Sequence, residues 1–111
     1  MKKIAFLSLL LITLLAACER EGNGTTACIQ EKIDELSVNA GTSDASVKEY
    51  RFQNQTVYVF SDGTQIADGA DYVYDTGCNQ LGFLGGLMGN LTINGQNFYS
   101  NAIYTRTIWE N

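Results

Sequence analysis

Three cysteines are the most reactive side chains of this sequence. Cys18, Cys28 and Cys78 are the only thiols in the 111 residues, and the chain contains no histidine. Without histidine, the Ser-His-Asp and Cys-His catalytic arrangements are excluded, and so is the usual histidine-containing zinc site. We therefore expect no cofactor and no metal centre, and the question becomes what each sulfur is bonded to.

Cys18 follows a segment that is typical of an exported protein. Two lysines precede an apolar run at 4–15, and the sequence Leu-Ala-Ala stands directly before Cys18. A short positive region, an apolar run and small residues at a cleavage site form a secretory signal, and this run is shorter than the roughly 20 residues of a membrane-spanning helix. The alternatives are a plain transmembrane anchor and an ordinary secreted protein that is cleaved at the same place.

The Leu-Ala-Ala-Cys sequence closely resembles a bacterial lipobox. The resemblance implies that a diacylglycerol is attached to the thiol of Cys18, that cleavage falls before it, and that the new amino terminus is acylated, for example with palmitate. It divides the chain into a signal peptide at 1–17, a flexible polar tether at 18–26 and a single domain at 27–111. We accordingly expect a lipid-anchored protein of the bacterial cell envelope, on the periplasmic or the surface face of the outer membrane.

The mature chain would be strongly acidic. Loss of two lysines with the signal peptide leaves five basic residues against twelve acidic ones, a formal charge of −7. No basic patch is left to neutralise phosphates, so nucleic acid is not an expected partner. Anionic lipid would also repel such a domain, so the acyl chains must supply the membrane binding, which needs two or more chains to be stable.

Cys28 and Cys78 remain once Cys18 is assigned to the lipid. An even number of cysteines in an oxidising compartment suggests one disulfide, Cys28–Cys78. This bond would close a loop of about 50 residues, for which the chain-entropy model gives roughly 4 kcal/mol of stabilisation. The alternative is two free, buried thiols.

One amphipathic helix is predicted at 27–38. Thr25 or Thr26 can cap its start, because a side-chain oxygen can accept hydrogen bonds from the N–H groups of the first turn. The apolar stripe consists of Ile29, Ile33 and Leu36. Spacings of four and three residues place such side chains on one face of a helix. Asn39 or Gly41 is suited to a left-handed residue at its end.

Short antiparallel strands are predicted for the rest of the chain. Runs at 47–53 and 56–60 flank Asn54-Gln55, where a two-residue turn, or alternatively a three-residue loop, would form a hairpin. The two-residue turn pairs Phe52 with Val57 and Tyr50 with Val59, and places all four on one face. Asn94-Gly95 is the preferred dipeptide of a second hairpin, and the run at 102–109, apolar on both faces, is expected as a central strand. We therefore predict an α+β domain with one N-terminal helix packed on an antiparallel sheet of four to six short strands.

Acidic residues suggest two further chemistries. Aspartates at positions 62, 68, 71 and 75 occupy a turn-rich segment at 62–75. Calcium takes several oxygen ligands, but this spacing does not match an EF-hand loop and Asp-Gly is common in turns, so turns are favoured and calcium binding stays open. Glu49 and Asp62 could supply the two carboxylates of a glycoside hydrolase. No pocket can be identified for them, and we do not expect an enzyme.

Two sets of side chains could contact a partner. The first comprises the aromatic residues Tyr58, Phe60, Tyr72 and Tyr74, for which packing in the core is the more common role. The second comprises Leu87 and Met88 in the glycine-rich segment at 81–90. That segment predicts either a tight stretch packed on the sheet or a partly exposed apolar loop that grips another protein.

A combination of short blocks distinguishes the domain. They are Ser-Val-Lys-Glu-Tyr-Arg-Phe at 46–52, Val-Tyr-Val-Phe at 57–60, Cys-Asn-Gln-Leu-Gly-Phe-Leu-Gly-Gly at 78–86, Asn-Gly at 94–95 and Thr-Ile-Trp at 107–109. Together they resemble a family of small uncharacterised lipoproteins from Bacteroidota, a domain of unknown function, over most of 27–111. The resemblance implies an envelope location and one domain, and it implies no particular activity.

The function expected from these observations is that of a membrane-anchored envelope lipoprotein that acts as a non-catalytic binding or interaction module, with an envelope protein as its partner. The alternative is a small inhibitor of an envelope or host hydrolase, with Leu87 and Met88 at the tip that enters the cleft. A passive structural lipoprotein is the third hypothesis.

Overall fold

The computed structural model describes residues 25–41, 43–63 and 69–111. The elements are α1 (Ala27–Asn39), β1 (Ser46–Phe52), β2 (Gln55–Ser61), β3 (Ala70–Asp75), β4 (Gln80–Gly85), β5 (Thr92–Ile93), β6 (Gln96–Asn97), α2 (Phe98–Asn101) and β7 (Ile103–Glu110). The predicted signal peptide, Cys18 and most of the predicted tether lie outside the described residues. Among the residues that are described, no helix has the length and apolarity to cross a membrane.

Five strands form one antiparallel sheet in the order β4-β3-β2-β1-β7, and β5 and β6 form a separate two-stranded sheet. The main helix precedes the sheet in the chain and packs on one of its faces. This arrangement confirms the predicted α+β class, with one N-terminal helix on a small antiparallel sheet.

The helix α1 begins and packs as its sequence predicts. Thr26 is the N-cap, and its Oγ1 accepts from the backbone N–H of Ile29 at 3.4 Å. Ile29 and Ile33 are buried and Leu36 is half-buried, so the predicted apolar stripe is the face that meets the sheet. Gly41 follows the helix with a φ of 59°, a left-handed conformation that glycine adopts without steric penalty.

The turn between β1 and β2 lies one residue earlier than predicted. Gln53 and Asn54 occupy it with φ of 50° and 63°, as a type I′ turn requires. Tyr50 therefore pairs with Val57, and Phe52 pairs with Gln55, so the predicted partners are wrong. Asn tolerates positive φ well, and the turn forms where Asn54 can take its second position. The partners shift by two residues, which leaves every side chain on its predicted face.

Two hydrophobic clusters lie on opposite faces of the sheet, because successive residues of a strand point to opposite sides. The helix-side core consists of Ile29, Ile33, Val47, Tyr58 and Phe60. The hairpin-side core consists of Phe52, Val57, Val59, Val73, Leu84, Ile93 and Phe98. The first is covered by α1 and the second by the β5–β6 hairpin and α2.

The β5–β6 hairpin forms at Asn94-Gly95, as predicted, with φ of 48° and 79° at the two turn residues. The strand after the turn has only two residues, because Asn97 caps the short helix α2 by accepting from the N–H of Ser100 at 3.0 Å. The hairpin approaches β4 closely at Gly82, where an added Cβ would lie 2.8 Å from Cδ1 of Ile93. Glycine at this position allows the hairpin to pack on the sheet.

The last strand, β7, lies at an edge of the sheet, so the prediction of a central strand is wrong. Among the described strands it pairs only with β1, and two register shifts interrupt that pairing. Ile103 and Tyr104 are exposed, while Ile108 and Trp109 pack against the helix-side core. Its β-branched and aromatic composition specifies an extended conformation, but it does not specify how many neighbours the strand has.

Candidate interaction surface

The disulfide Cys28–Cys78 joins the first turn of α1 to the chain that follows β3, with Cα atoms 6.2 Å apart. A hydrogen bond reinforces the connection, since Oγ1 of Thr26 donates to the carbonyl of Thr76 at 2.7 Å. The prediction of this disulfide is confirmed. Both sulfurs are therefore used in holding the helix to the sheet.

Tyr58 and Phe60 cannot belong to a contact surface, because 0% and 8% of their surfaces are exposed. Both project from β2, the middle strand of the sheet, into the helix-side core. Tyr74 is half-buried beside them, with its ring 5.3 Å from that of Phe60 and the Lys32 ammonium 4.5 Å above it. The predicted aromatic contact surface is therefore wrong for Tyr58 and Phe60, and the alternative of core packing holds for them.

Leu87 and Met88 form what we call the apolar tip. They stand in the turn that follows β4, and 85% and 92% of their surfaces are exposed. The predicted glycine-rich segment thus has two parts, an edge strand up to Gly85 and a turn that presents two large apolar side chains to solvent.

Backbone hydrogen bonds fix the turn that carries the apolar tip. Gly85 and Asn90 each donate to the other's carbonyl, at 2.7 and 3.0 Å, and the N–H of Gly89 donates to Gly86 at 3.2 Å. The side-chain amide of Asn90 donates to the carbonyls of Phe83 and Thr92 at 2.7 and 3.0 Å. The tip is therefore held by a closed network of bonds at its base.

The described aspartates of the 62–75 segment have different surroundings, and Asp75 stabilises a turn. The carboxylate of Asp75 accepts from the N–H groups of Gly77 and Asn79, both at 2.9 Å, and the bond from Asn79 is the largest cause that holds the pKa of Asp75 below its ordinary value. Asp68 lies outside the described residues. In the part of the chain that the structure does describe, no group of three histidine, cysteine or acidic side chains is placed to hold a metal ion.

Glu49 and Asp62, the two carboxylates considered for hydrolysis, have separate surroundings. Glu49 forms an ion pair with Arg106 across β1 and β7, with 3.2 Å between Oε1 and the guanidinium nitrogen. Asp62 lies near the end of α1, beside Leu36 and Asn39.

A polar cleft on the hairpin side was not predicted from the sequence. Its volume is about 270 Å³, and the residues that line it include Ser46, Lys48, Tyr50, Ser61, Asp71 and Tyr99. Burial raises the pKa of the Asp71 carboxyl, and the hydrogen bond from Ser61 acts against that shift. The alternating polar residues of β1 indicate that one of its faces is polar. They do not show that a cleft forms there, because that depends on which strands lie beside β1.

Comparison with known proteins identifies the family. The family described as "Domain of unknown function (DUF6970)" matches residues 34–111, from the middle of α1 to the end of the chain. The curated proteins and the solved structures gave no match. Because the matched segment covers well over half of the sequence, this chain belongs to the DUF6970 family of domains of unknown function.

Proposed function

We propose that this protein is a lipid-anchored component of the bacterial cell envelope that binds another envelope protein and carries out no catalysis. Cleavage before Cys18 and acylation of that residue would attach it to the outer membrane, in the manner of the small Bacteroidota lipoproteins that the sequence resembles. The polar tether at 18–26 would hold the domain away from the lipid surface.

The apolar tip is the observation that carries the binding role. Burial of a leucine or methionine side chain stabilises an interface by about 1.5–3 kcal/mol, and the long, unbranched methionine adapts to irregular surfaces. The hydrogen bonds at the base of the turn keep the backbone of Leu87 and Met88 in place before a partner arrives. Less conformational entropy is then lost on binding, which favours affinity.

Val38 provides a matched control for this interpretation. It is 82% exposed on α1, a degree of exposure close to that of Leu87. Single exposed apolar residues are common on soluble proteins and need no functional explanation. The tip differs from Val38 because two large apolar residues stand side by side on one turn.

Site-specific photo-crosslinking in cells tests the proposal. A photoreactive amino acid replaces Leu87, Met88 or Val38 in the full chain, and cross-linked products are compared after irradiation. We expect positions 87 and 88 to give one shared product with an envelope protein that position 38 does not give. Equal products from all three positions, or none from the tip, would contradict the binding role.

Inhibition of a hydrolase is the second candidate function, and the shape of the tip favours it. A short turn, fixed at its base and apolar at its end, has a form suited to entry into a cleft. If the cross-linked partner is a hydrolase, added wild-type protein should lower its activity, whereas a Leu87→Ser, Met88→Ser double variant should not. A transporter or an outer-membrane protein as the partner would favour the role of a non-catalytic binding module over that of an inhibitor.

A further inference from the structure

Within the part of the chain that the structure describes, the hairpin-side face of the sheet is covered at one end only. There the β5–β6 hairpin and α2 lie over Phe52, Val57 and Val73. Ser46 pairs with Ser61, and because Phe60 pairs with Tyr72, Asp71 stands opposite Ser61. One polar row therefore crosses three strands at the other end of the same face. The next row contains Lys48 and Val59. These two rows form the floor of the polar cleft.

Two tyrosines line the cleft beside this floor. Tyr50 comes from β1 and Tyr99 from α2, and the ring of Phe98 lies between them, with centroids 5.1 and 5.4 Å away. Tyr99 is half-exposed, and Tyr104 adds an exposed ring 5.7 Å from Tyr50. The cleft thus has an aromatic side and a polar floor.

The polar groups of the cleft are only partly used by the protein itself. The Ser61 hydroxyl bonds to the Asp71 carboxylate. The Lys48 ammonium and the Tyr99 hydroxyl make no hydrogen bond to any residue that the structure describes. Donors and acceptors are therefore available to a ligand at several points around the same small space.

Size and charge restrict what this space can hold. A volume of about 270 Å³ lies below the roughly 300–1,000 Å³ of pockets that hold drug-sized ligands, so one ring-sized molecule fits. The lining contains two acidic residues, Asp44 and Asp71, and one basic residue, Lys48. An anion would meet both acidic residues, and a cation in so small a space would lie beside the Lys48 ammonium, which opposes its binding. A purely apolar ligand would displace water from the Asp71 carboxylate and offer it no hydrogen bond in return, which disfavours such a ligand.

We propose that this cleft binds one unit of a neutral, polyhydroxylated ring, a pyranose that is either free or at the end of a glycan. Its hydroxyl groups can both donate to Asp71 and accept from Lys48, while its less polar face packs on the ring of Tyr99. The site is separate from the apolar tip, and its failure would leave the proposed binding through Leu87 and Met88 untouched.

Saturation-transfer NMR on the full mature lipoprotein tests this proposal, with the protein held in a detergent that has no sugar head group. The probes are the methyl glycosides of glucose, galactose, mannose and N-acetylglucosamine, together with tetrasaccharides of the same sugars. Methyl glucuronide and glucosamine are the charged analogues. We expect transfer from the protein to at least one neutral glycoside, and stronger transfer to the tetrasaccharide would identify a glycan end as the source.

Matched variants make the result specific to the cleft. Asp71→Asn and Tyr99→Ala should weaken binding of the best probe at least tenfold, whereas Tyr72→Ala, which removes a partly exposed tyrosine on the other face of the sheet, should leave it unchanged. Melting curves confirm that each variant is folded. The absence of transfer to every neutral probe, stronger binding of a charged analogue, or equal binding by Tyr99→Ala would overturn the proposal.

Discussion

The two faces of the sheet are covered in different ways. On one face α1 has 13 residues, or about 20 Å of helix, and a disulfide and the Thr26 cap fasten it to the sheet. On the other face α2 has four residues and the hairpin strands have two each. The long cover lies over the helix-side core, with shallow cavities along its edge, and the polar cleft lies beside the short cover. The two covers thus differ in length and in attachment, since the Cys28–Cys78 disulfide ties the first to the sheet and noncovalent contacts hold the second.

Removal of the Phe98 side chain, which holds α2 on the sheet, should cause the largest loss of stability. Phe98 is fully buried, with its ring 4.9 Å from Phe52 and 5.1 Å from Tyr50. We expect Phe98→Ala to lower the free energy of unfolding by about 3–5 kcal/mol, because a cavity remains where the ring was. Urea denaturation measures the loss, and Ser100→Ala, at an exposed position on the same short helix, is the control. A loss below about 1 kcal/mol would show that α2 does not hold its face closed.

Loss of the disulfide should have the next largest effect, on the opposite face. Cys78→Ser should lower the free energy of unfolding by roughly 2–5 kcal/mol, because the unfolded chain regains the freedom of the 50-residue separation. Cys28→Ser should cause a similar loss, and the double variant should lose little more than either single variant. Identical melting curves of the wild type under reducing and oxidising conditions would contradict this expectation.

The helix-side core also contains a group whose removal should stabilise the protein. The hydroxyl of Tyr58 is buried and has no hydrogen-bond partner among the described residues. An unsatisfied buried hydroxyl destabilises a fold by about 1–3 kcal/mol, so Tyr58→Phe should raise the melting temperature. Tyr74→Phe, at a half-buried position nearby, should change it little. A lower melting temperature for Tyr58→Phe would mean that the hydroxyl is satisfied in solution.

Two aspartates should give the smallest effects, and the signs should be opposite. Burial raises the pKa of Asp71 above its ordinary value of 3.8, so its contribution to stability is full below that value and is lost as the pH rises through the folded-state pKa. Hydrogen bonds from Asn79 and Gly77 lower the pKa of Asp75, so its contribution is present above 3.8 and is lost as the pH falls through the lower pKa.

Unfolding measured from about pH 3 to about pH 7 separates these contributions. Relative to the wild type, Asp71→Asn should become more stable as the pH rises, and Asp75→Asn should become less stable. The same trend for both variants would contradict the opposite pKa shifts of Asp71 in the cleft and Asp75 in the turn.

Local sequence patterns predict the helix and the strands. The order of the strands in the sheet depends on long-range pairing, which these patterns do not contain. The spacing of Ile29, Ile33 and Leu36 specified the helix and its buried face. Asn94-Gly95 specified a hairpin through its backbone preference. The position of β7 at the edge depends on the order of the strands, which no local pattern contains.

The candidate sites follow the same division. Leu87 and Met88 could be singled out because glycines flank them in the sequence. Aromatic residues in a strand can face either solvent or the core, so the sequence alone leaves both roles open for Tyr58 and Phe60. The position of β2 in the middle of the sheet decides for the core. The polar cleft was missed because Ser61 and Asp71 become neighbours only through the register between two strands.

The covalent state of Cys18 decides the proposed location and, with it, the class of partner that the apolar tip can meet. Intact-protein mass spectrometry of the product extracted from bacterial membranes measures that state. We predict a chain of residues 18–111 whose mass is increased by a diacylglycerol and an amino-terminal acyl group. A mature chain that begins at another residue, or one that carries no acyl mass, would contradict the lipid-anchored envelope role.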